Sequence, residues 1–285
     1  MVDSAAARQF VMTNARLIDR VWFTVLFDGG VAGQLLSALA SYQNADGGYG
    51  YGLEPDTRTP ESQPLNVEIA WQYMASAEAV DEAAVRRACD WLQSVSAPGG
   101  GVPILVPGFE AYPHAAHWST YDRPPELVPN GGLVGAHFAM GIDHPWRART
   151  AELVWKWIES PEGIEVHDML DAVWFLEAVP DRERATKAAE RLSRGLSTTT
   201  GYKPDPASPG YGVTPLWFAP SPDSFCRPWF SDSIIQSNLD NLAAEQQSDG
   251  GWPITWNPPG PASVLEWRGI QTMKALRTLQ AYSVL

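Results

Sequence analysis

Apolar residues recur every three or four positions along most of this chain, which is the spacing that places them on one face of an α-helix. Segments in which apolar and polar residues alternate, as they do in a half-buried strand, are nearly absent. The pattern predicts ten helices, over residues 4–27, 31–43, 65–79, 82–95, 132–141, 145–159, 166–178, 182–197, 232–246 and 262–283. The chain is therefore expected to be all-α.

The connections between the predicted helices alternate in length. Short ones such as Val179-Pro180-Asp181 join the helices of a pair, whereas long segments rich in glycine and proline join one pair to the next. This layout is typical of stacked helical hairpins. A ring of such hairpins fits a single domain over residues 1–285.

An internal repeat supports the hairpin layout. The sequence LASYQNADGGY at 39–49 recurs as LAAEQQSDGGW at 242–252, and a worn copy places Gln93 before a glycine run at 99–101. Glutamine at a helix end can bond unpaired carbonyl groups, glycine allows the chain to reverse, and the aromatic ring can pack on the next hairpin. We therefore assign the repeat a structural role.

The repeat resembles the QW repeat of squalene and oxidosqualene cyclases, whose relatives include the protein prenyltransferase β subunits. The resemblance is closest at 247–253, continuing to 265–269. It implies an all-α α/α toroid, or barrel, of about five to six helical hairpins. A similar Gly-Gly-Trp-Pro sequence occurs in helical polysaccharide lyases, so the repeat favours the toroid more strongly than it favours terpenoid chemistry.

The loop at 50–64 is the main candidate for chemistry, because it holds three carboxylates and an arginine between prolines. An acid buried among aromatic rings would stay protonated near neutral pH and could protonate an alkene or a hydroxyl group. Glu54-Pro55-Asp56-Thr57 resembles the acid motif of class II terpene cyclases. The resemblance implies that Asp56 is the proton donor and Glu54 its partner. Alternatively, Asp56 and Arg58 form a brace, and such pairing would keep Asp56 ionised.

Further candidates lie outside this loop. Glu266 is a third candidate acid, but it and Arg268 are two residues apart on a helix and should point to different sides. Asp168 and Asp171 share a helix face, although they could simply complement the helix dipole. His117 and its neighbour His114 are expected to lie in a loop, so we predict no metal site and no organic cofactor. The predicted catalytic residues are Asp56, Glu54 and Glu266, and the predicted substrate-binding residues are Arg58, Glu61, Trp71, His117, Asp168, Asp171, Trp256 and Trp267.

Composition narrows the class of partner. The net charge is −13 and no basic run interleaves with aromatic residues, which argues against nucleic acid. The apolar run at 21–27 is too short to span a bilayer, and the two cysteines fit a reducing compartment, so a soluble cytoplasmic protein is expected. The 13 Trp, nine Tyr and nine Phe either fill gaps between helices or line a cavity.

Three functions are consistent with the sequence. The leading hypothesis is a terpene-cyclase-like isomerase or lyase, in which an acid protonates a small apolar, isoprenoid-like molecule in an aromatic-lined cavity. The second is an α/α-barrel glycoside hydrolase or polysaccharide lyase that uses paired carboxylates. The third is a non-catalytic toroid that binds a ligand or another protein.

Overall fold

A computed structural model describes residues 2–118, 123–160 and 164–285 of the chain. In these ranges the chain is helical and forms no strand beyond isolated bridges. The helices are α1 Ser4–Asn14, α2 Leu17–Phe27, α3 Ala32–Ala40, α4 Pro64–Ser76, α5 Glu82–Ser94, α6 Leu127–Ala139, α7 Pro145–Glu159, α8 Val166–Ala178, α9 Arg182–Gly195, α10 Pro215–Phe218, α11 Asp232–Ala244 and α12 Pro261–Ala281. The prediction of an all-α chain is confirmed.

The first predicted helix, 4–27, is wrong in one respect, because the structure divides it into α1 and α2. Ala15 and Arg16 take extended backbone conformations between them. No glycine or proline marks this break, and the apolar spacing continues across it, so periodicity alone does not reveal it. The break matters for the site described below, since it frees the side chain of Arg16 to reach a neighbouring loop.

Two other differences concern short or interrupted segments. Helix α6 begins at Leu127 and not at 132, although Val128 departs from helical geometry within its first turn. Helix α10 has only four residues, which is too short to give a periodic signal. The remaining predicted helices match the structure to within a few residues at their ends.

Helices that are two apart in the chain pack against each other. Helix α6 contacts α4 and α8, α8 contacts α10, and α5 contacts α7. The last helix, α12, contacts α11, α1 and α2, so the two ends of the described chain meet. One continuous cluster of buried hydrophobic side chains extends from Ala7 to Leu279.

The internal repeat builds the same backbone turn three times, at 44–48, 97–101 and 247–251. In each turn the first amide N–H donates to the carbonyl of the last residue, at 2.8, 3.0 and 2.9 Å respectively. The fourth residue is always a glycine with a positive φ, of 96°, 94° and 91°. Only glycine adopts this backbone conformation at little cost, which explains why the glycine pairs recur.

The structure corrects the alignment of the worn copy. Gln43 and Gln246 each precede the positive-φ glycine by four residues, and in the turn at 97–101 this position is taken by Ser96 and not by Gln93. Gln93 lies three residues too early and is exposed to solvent. The worn copy has therefore kept the turn but lost the glutamine.

The two glutamines have the structural role that the sequence predicts. Gln43 Nε2 donates to the carbonyls of Gly47 and Ala84, both at 2.9 Å. Gln246 Nε2 donates to the carbonyl of Asp3 at 2.9 Å, and its Oε1 accepts the Asp3 N–H at 2.8 Å. Each glutamine thus joins its own turn to the start of another helix.

No helix within the described ranges combines the length and the apolar character that crossing a bilayer requires.

Candidate functional site

The loop at 50–64 is held in place by Arg16 from the break between α1 and α2. Arg16 Nη1 donates to the carbonyls of Gly52 at 3.1 Å and Leu53 at 2.8 Å. Its Nε atom pairs with Asp19 Oδ2 at 2.8 Å, and its Nη2 donates to the Tyr73 hydroxyl at 3.0 Å. Because Asp19 is buried and also accepts the Tyr73 hydroxyl, this arginine is fixed on both sides. Arg16 therefore fixes the backbone of the loop next to Glu54 and Asp56.

A second segment, 112–118, pairs with the middle of this loop. The amide N–H of Arg58 donates to the Pro113 carbonyl at 2.9 Å, and that of Ala115 donates to the Asp56 carbonyl at 2.8 Å. The chain then enters a short 3₁₀ helix, Ala116–Trp118. This pairing brings His117 beside the side chain of Asp56.

Asp56 is a buried carboxyl group with polar contacts on both oxygens. Its side chain is only 5% exposed. The indole N–H of Trp267 donates to Oδ1 at 2.8 Å, and His117 Nε2 lies 3.6 Å from Oδ2. Trp256 lies near the carboxylate and lowers its pKa, although its buried N–H is not aligned for a hydrogen bond with any described atom.

Burial dominates the acid–base behaviour of Asp56. It raises the pKa of Asp56 to about 6, while the indole N–H groups of Trp267 and Trp256 act in the opposite direction because they stabilise the ionised form. With such a pKa, about a tenth of the group carries a proton at pH 7. Asp56 can therefore hold and release a proton near neutral pH.

Glu54 lies behind Asp56 and braces its backbone. Glu54 Oε2 accepts the amide N–H of Asp56 at 3.1 Å and the Thr57 hydroxyl at 3.4 Å. Its own N–H donates to Asn66 Oδ1 at 2.7 Å. Burial, and then the proximity of Asp56, raises the pKa of Glu54 well above its ordinary value. Burial and the neighbouring Asp56 thus both disfavour the charged form of Glu54.

Arg58 pairs with Glu266 and not with Asp56. Its Nη1 makes a short contact with Glu266 Oε2. The predicted alternative of an Asp56–Arg58 brace is therefore wrong, and Arg58 does not hold Asp56 in its ionised form. Arg268 pairs instead with Asp249, at 2.7 and 2.8 Å. Glu266 and Arg268 point to different sides of α12, as their spacing predicts.

Four rings follow one another from Asp56 outward, and we call them the aromatic row: Trp267, Trp256, Tyr211 and His167. The centroids of Trp267 and Trp256 are 5.1 Å apart, and those of Trp256 and Tyr211 are 5.9 Å apart, both in edge-to-face geometry. The His167 ring stacks on Tyr211, and its Nε2 lies 2.7 Å from the Tyr211 hydroxyl.

Two members of the aromatic row, Tyr211 and His167, were not predicted. Tyr211 lies between two glycines in a segment without helical periodicity, so its position outside a helical stripe was a usable signal. Burial, and then the negative charge of Asp56, raises the pKa of Tyr211 to about 12. Burial lowers the pKa of His167, and burial together with His167 lowers that of His117. Both imidazoles are therefore chiefly neutral at pH 7.

Trp256 and Tyr211 also line a cavity of about 740 Å³. Cavities of this size hold ligands as large as many drugs. Three further tryptophans contribute to the wall, Trp174, Trp217 and Trp252. Asp56 does not itself line the cavity but lies directly behind Trp256.

Three predicted binding residues lie apart from the cavity and from Asp56, and two of them make structural contacts. Trp71 is fully buried and packs with its ring 5.5 Å from His137, in the core and away from the cavity. Asp168 forms a capping box with Glu165 at the start of α8. Glu61 is exposed, so these three positions contribute neither to the cavity nor to the surroundings of Asp56.

Asp171 belongs to a second buried acidic pair. Its Oδ2 accepts the amide N–H of Gly132 at 3.1 Å. Burial, and then Glu68, raises its pKa well above its ordinary value. Burial raises the pKa of Glu68 to about 8, and Glu68 Oε1 accepts a hydrogen bond from Gln72 Nε2 at 3.0 Å. Sequence periodicity hides Glu68, because it is a lone acid in an apolar helix.

Comparison with known proteins identifies a similar fold only. No family model and no curated protein matches this chain. A crystal structure of a protein from Actinoplanes is similar, with a TM-score of 0.58 over 98% of this chain and 100% of that one, at 17% sequence identity. At this identity the similarity concerns the fold alone. The resemblance to terpenoid cyclases and prenyltransferases stays a prediction.

Proposed function

We propose that this chain is an α/α-toroid enzyme that protonates a small apolar, isoprenoid-like substrate, with Asp56 as the acid. The contact of α12 with α1 and the packing of helices two apart in the chain support a closed ring of hairpins. The three equivalent turns support it as well.

The observation that carries the functional proposal is the environment of Asp56. A carboxyl group with a pKa of about 6 lies against the aromatic row, and two rings of that row line the 740 Å³ cavity. An acid of this strength can supply a proton at neutral pH. No described arginine or lysine forms an ion pair with Asp56, and His117, the one basic side chain beside it, is chiefly neutral at pH 7.

The proposed step is proton addition to an alkene, and it requires that the alkene reach Asp56 past the Trp256 ring, because Asp56 does not line the cavity. The π electrons of the double bond form a C–H bond with the proton of Asp56, and the O–H bond of Asp56 breaks to leave a carboxylate. The positive charge then lies on the adjacent carbon, where tryptophan and tyrosine ring faces stabilise it. His117, with a side chain 50% exposed and 3.6 Å from Asp56 Oδ2, is placed to return a proton from solvent.

The saccharide hypothesis has less support. Hydrolysis of a glycosidic bond uses two carboxyl groups that flank the substrate. The two buried acidic pairs, Glu54 with Asp56 and Glu68 with Asp171, have no member on the cavity wall. Two other acids do line it, but Glu177 is exposed to solvent and Glu245 accepts a hydrogen bond from Asn241. The two buried free cysteines, Cys89 and Cys226, support the proposal that the enzyme acts in the cytoplasm.

Turnover in heavy water tests this proposal. The purified protein is incubated with acyclic polyprenes and polyprenols in D₂O, and products are analysed by mass spectrometry. We expect a product that carries one solvent deuterium, and a loss of at least about a hundredfold in rate for Asp56→Asn. Glu61→Gln, which changes an exposed acid of the same loop, is the matched control and should keep full activity. A folded Asp56→Asn protein with undiminished activity would contradict the assignment.

A further inference from the structure

One face of α12 forms part of the cavity wall. Gln271, Lys274 and Thr278 all line the cavity at a spacing of three and four residues. Lys274 is the basic member of this face. Burial lowers the pKa of Lys274 to about 8, so the amine is still chiefly protonated at pH 7 and places a positive charge on the cavity wall.

Lys274 has no close counter-ion. Its Nζ atom lies 5.0 Å from the centroid of the Trp217 ring, which also lines the cavity. No carboxylate oxygen of a described residue lies within 4.0 Å of this atom. Arg277, one turn further along α12, also lines the cavity and likewise has no ion pair among the described residues.

Glu68 is the acid that acts most strongly on Lys274, and it is poorly suited to neutralise it. The Glu68 carboxyl is fully buried behind the cavity wall, and burial raises its pKa to about 8. Glu68 is therefore chiefly uncharged at pH 7. The positive charge of Lys274 is thus available to a ligand in the cavity.

A free donor lies beside this lysine. Gln271 precedes Lys274 by three residues on the same face, and its buried Nε2 has no hydrogen-bond partner among the described residues. Buried polar groups are normally hydrogen-bonded. An acceptor on a ligand would satisfy Gln271 and pair with Lys274 at the same time.

The lining side chains carry a formal charge of 3 − 2 = +1, which favours a ligand with a single negative charge. The lining residues include three basic side chains, Lys203, Lys274 and Arg277, and two acidic ones, Glu177 and Glu245. A multiply charged group would meet repulsion from the acids. Trp217 lies next to Lys274, and Trp174 and Leu216 add further apolar surface to the cavity wall.

We infer that the cavity binds an apolar molecule that bears one carboxylate, and that Lys274, with Gln271 and Arg277, holds this carboxylate. The inference rests on the proposed function for the apolar part of the ligand, and it names the head group of that substrate class. The site would then have two polar groups, with Lys274 binding the carboxylate of the ligand and Asp56 supplying the proton.

Titration with matched amphiphiles tests this inference without turnover. Dodecanoate and dodecanol have the same chain length and differ in the charged head. We expect the wild-type protein to bind dodecanoate at least about tenfold more tightly, measured by tryptophan fluorescence and calorimetry below the micelle concentration, because hydrogen bonds to a charged group add substantially to affinity. Equal affinity for the acid and the alcohol would overturn the inference, and this comparison needs no variant.

Variants assign the effect to the lysine. Lys274→Met should weaken dodecanoate binding about tenfold and leave dodecanol binding unchanged. Lys156→Met, which alters an exposed lysine of α7, should change neither. Equal effects of the two substitutions would overturn the role of Lys274, and tighter binding of dodecyl diphosphate than of dodecanoate would overturn the single-carboxylate head.

The binding test of this inference and the deuterium test of the proposed function can fail independently of each other. Asp56→Asn should bind dodecanoate with wild-type affinity, because Asp56 does not line the cavity and Lys274 does. A protein that protonates polyprenes but does not prefer dodecanoate would refute the inference alone. A protein that prefers dodecanoate but incorporates no deuterium would refute only the proposed reaction.

Discussion

The segments that follow the turns at 44–48 and 247–251 start from the same backbone geometry and bring different chemistry to the region around Asp56. The first continues as the loop at 50–64, which supplies Glu54, Asp56 and Arg58. The second continues through 253–260, which supplies Trp256 to the aromatic row, into α12, which supplies Trp267. Contacts then join one segment to the other, from Trp267 to Asp56 and from Glu266 to Arg58.

The turns have a structural role, whereas the segments that follow them form the candidate site. The turns are alike because each must reverse the chain and bond to a neighbouring helix, and the same residues satisfy both needs wherever the turn occurs. The segments after them differ because each contributes one part of a joint site. Substitutions in the turns should therefore affect stability, and substitutions in the following segments should affect acid–base behaviour.

The largest effect is expected at the positive-φ glycines. A Cβ atom at Gly47 would lie 2.4 Å from the Arg87 carbonyl oxygen, and one at Gly250 would lie 2.3 Å from that of Ala6. Because backbone cannot move aside easily, we expect Gly47→Ala and Gly250→Ala each to lower the free energy of unfolding by at least about 3 kcal/mol. Urea denaturation followed by circular dichroism measures this.

The third turn supplies the control. A Cβ atom at Gly100 would meet side chains and no backbone, with Leu153 Cδ1 at 2.9 Å and Arg149 Cγ at 3.2 Å, so Gly100→Ala should cost about 1 kcal/mol, chiefly from its φ of 94°. Equal losses in the free energy of unfolding at all three glycines would show that the positive φ alone causes the loss. The close backbone contacts at Gly47 and Gly250 would then contribute nothing.

The glutamines should show the next largest effect. Gln246→Ala removes hydrogen bonds to Asp3 and Gly250, and Gln43→Ala removes those to Gly47 and Ala84. We expect each to lower the free energy of unfolding by about 2 kcal/mol.

Gln93→Ala is the matched control in the worn copy. Gln93 is exposed, so its replacement should change the free energy of unfolding by less than about 0.5 kcal/mol. A cost at Gln93 comparable to that at Gln43 would restore the original alignment of the third copy and contradict the assignment of its position to Ser96.

Much of the fold could be predicted from periodicity and turn residues. Long amphipathic segments such as α7 and α9 were located to within a few residues, because their apolar spacing is regular and their ends carry proline or aspartate. The break at Ala15 could not be predicted, since the groups that stabilise it, the carbonyls of Gly52 and Leu53, are distant in sequence. Tertiary contacts decided the conformation there.

The candidate site was predicted only in part, because some of its contacts also join residues that are distant in sequence. Asp56, Trp256 and Trp267 were singled out, and the structure brings them together. The partner of Arg58 was not predicted, because Glu266 is 208 residues away along the chain and no local pattern links the two. Lys274 was missed because an isolated lysine in a helix is usually a surface residue.

Trp267 offers a test of how the second segment tunes the first. Its indole N–H stabilises the ionised form of Asp56, so Trp267→Phe should raise the pKa of Asp56 above about 6, by roughly one unit. Activity that needs the protonated acid is present below this pKa and is lost as the pH rises through it. The midpoint of the pH–rate profile should therefore move up, which gives about a tenfold larger protonated fraction at pH 8.

Trp256→Phe is the matched variant for this measurement. Its N–H is not aligned for a hydrogen bond with any described atom, so the pKa of Asp56 should rise less than it does in Trp267→Phe. A larger pKa shift in Trp256→Phe than in Trp267→Phe would show that Trp256, and not Trp267, makes the main hydrogen bond to Asp56. No shift in either variant would remove the second segment from the acid–base chemistry.

The smallest effect is expected at the ion pair between the two segments. The side chain of Arg58 is 32% exposed, so its pair with Glu266 is partly screened by solvent. Arg58→Met should lower the free energy of unfolding by only about 0.5 kcal/mol, and less at high salt, as measured by urea denaturation at two salt concentrations. Because Arg58 pairs with Glu266 and not with Asp56, the midpoint of the pH–rate profile should not move. A rise of one pH unit in this midpoint would mean that Arg58 stabilises the Asp56 carboxylate after all. The pKa of Asp56 would then be set by Arg58 of the same loop and not by the second segment.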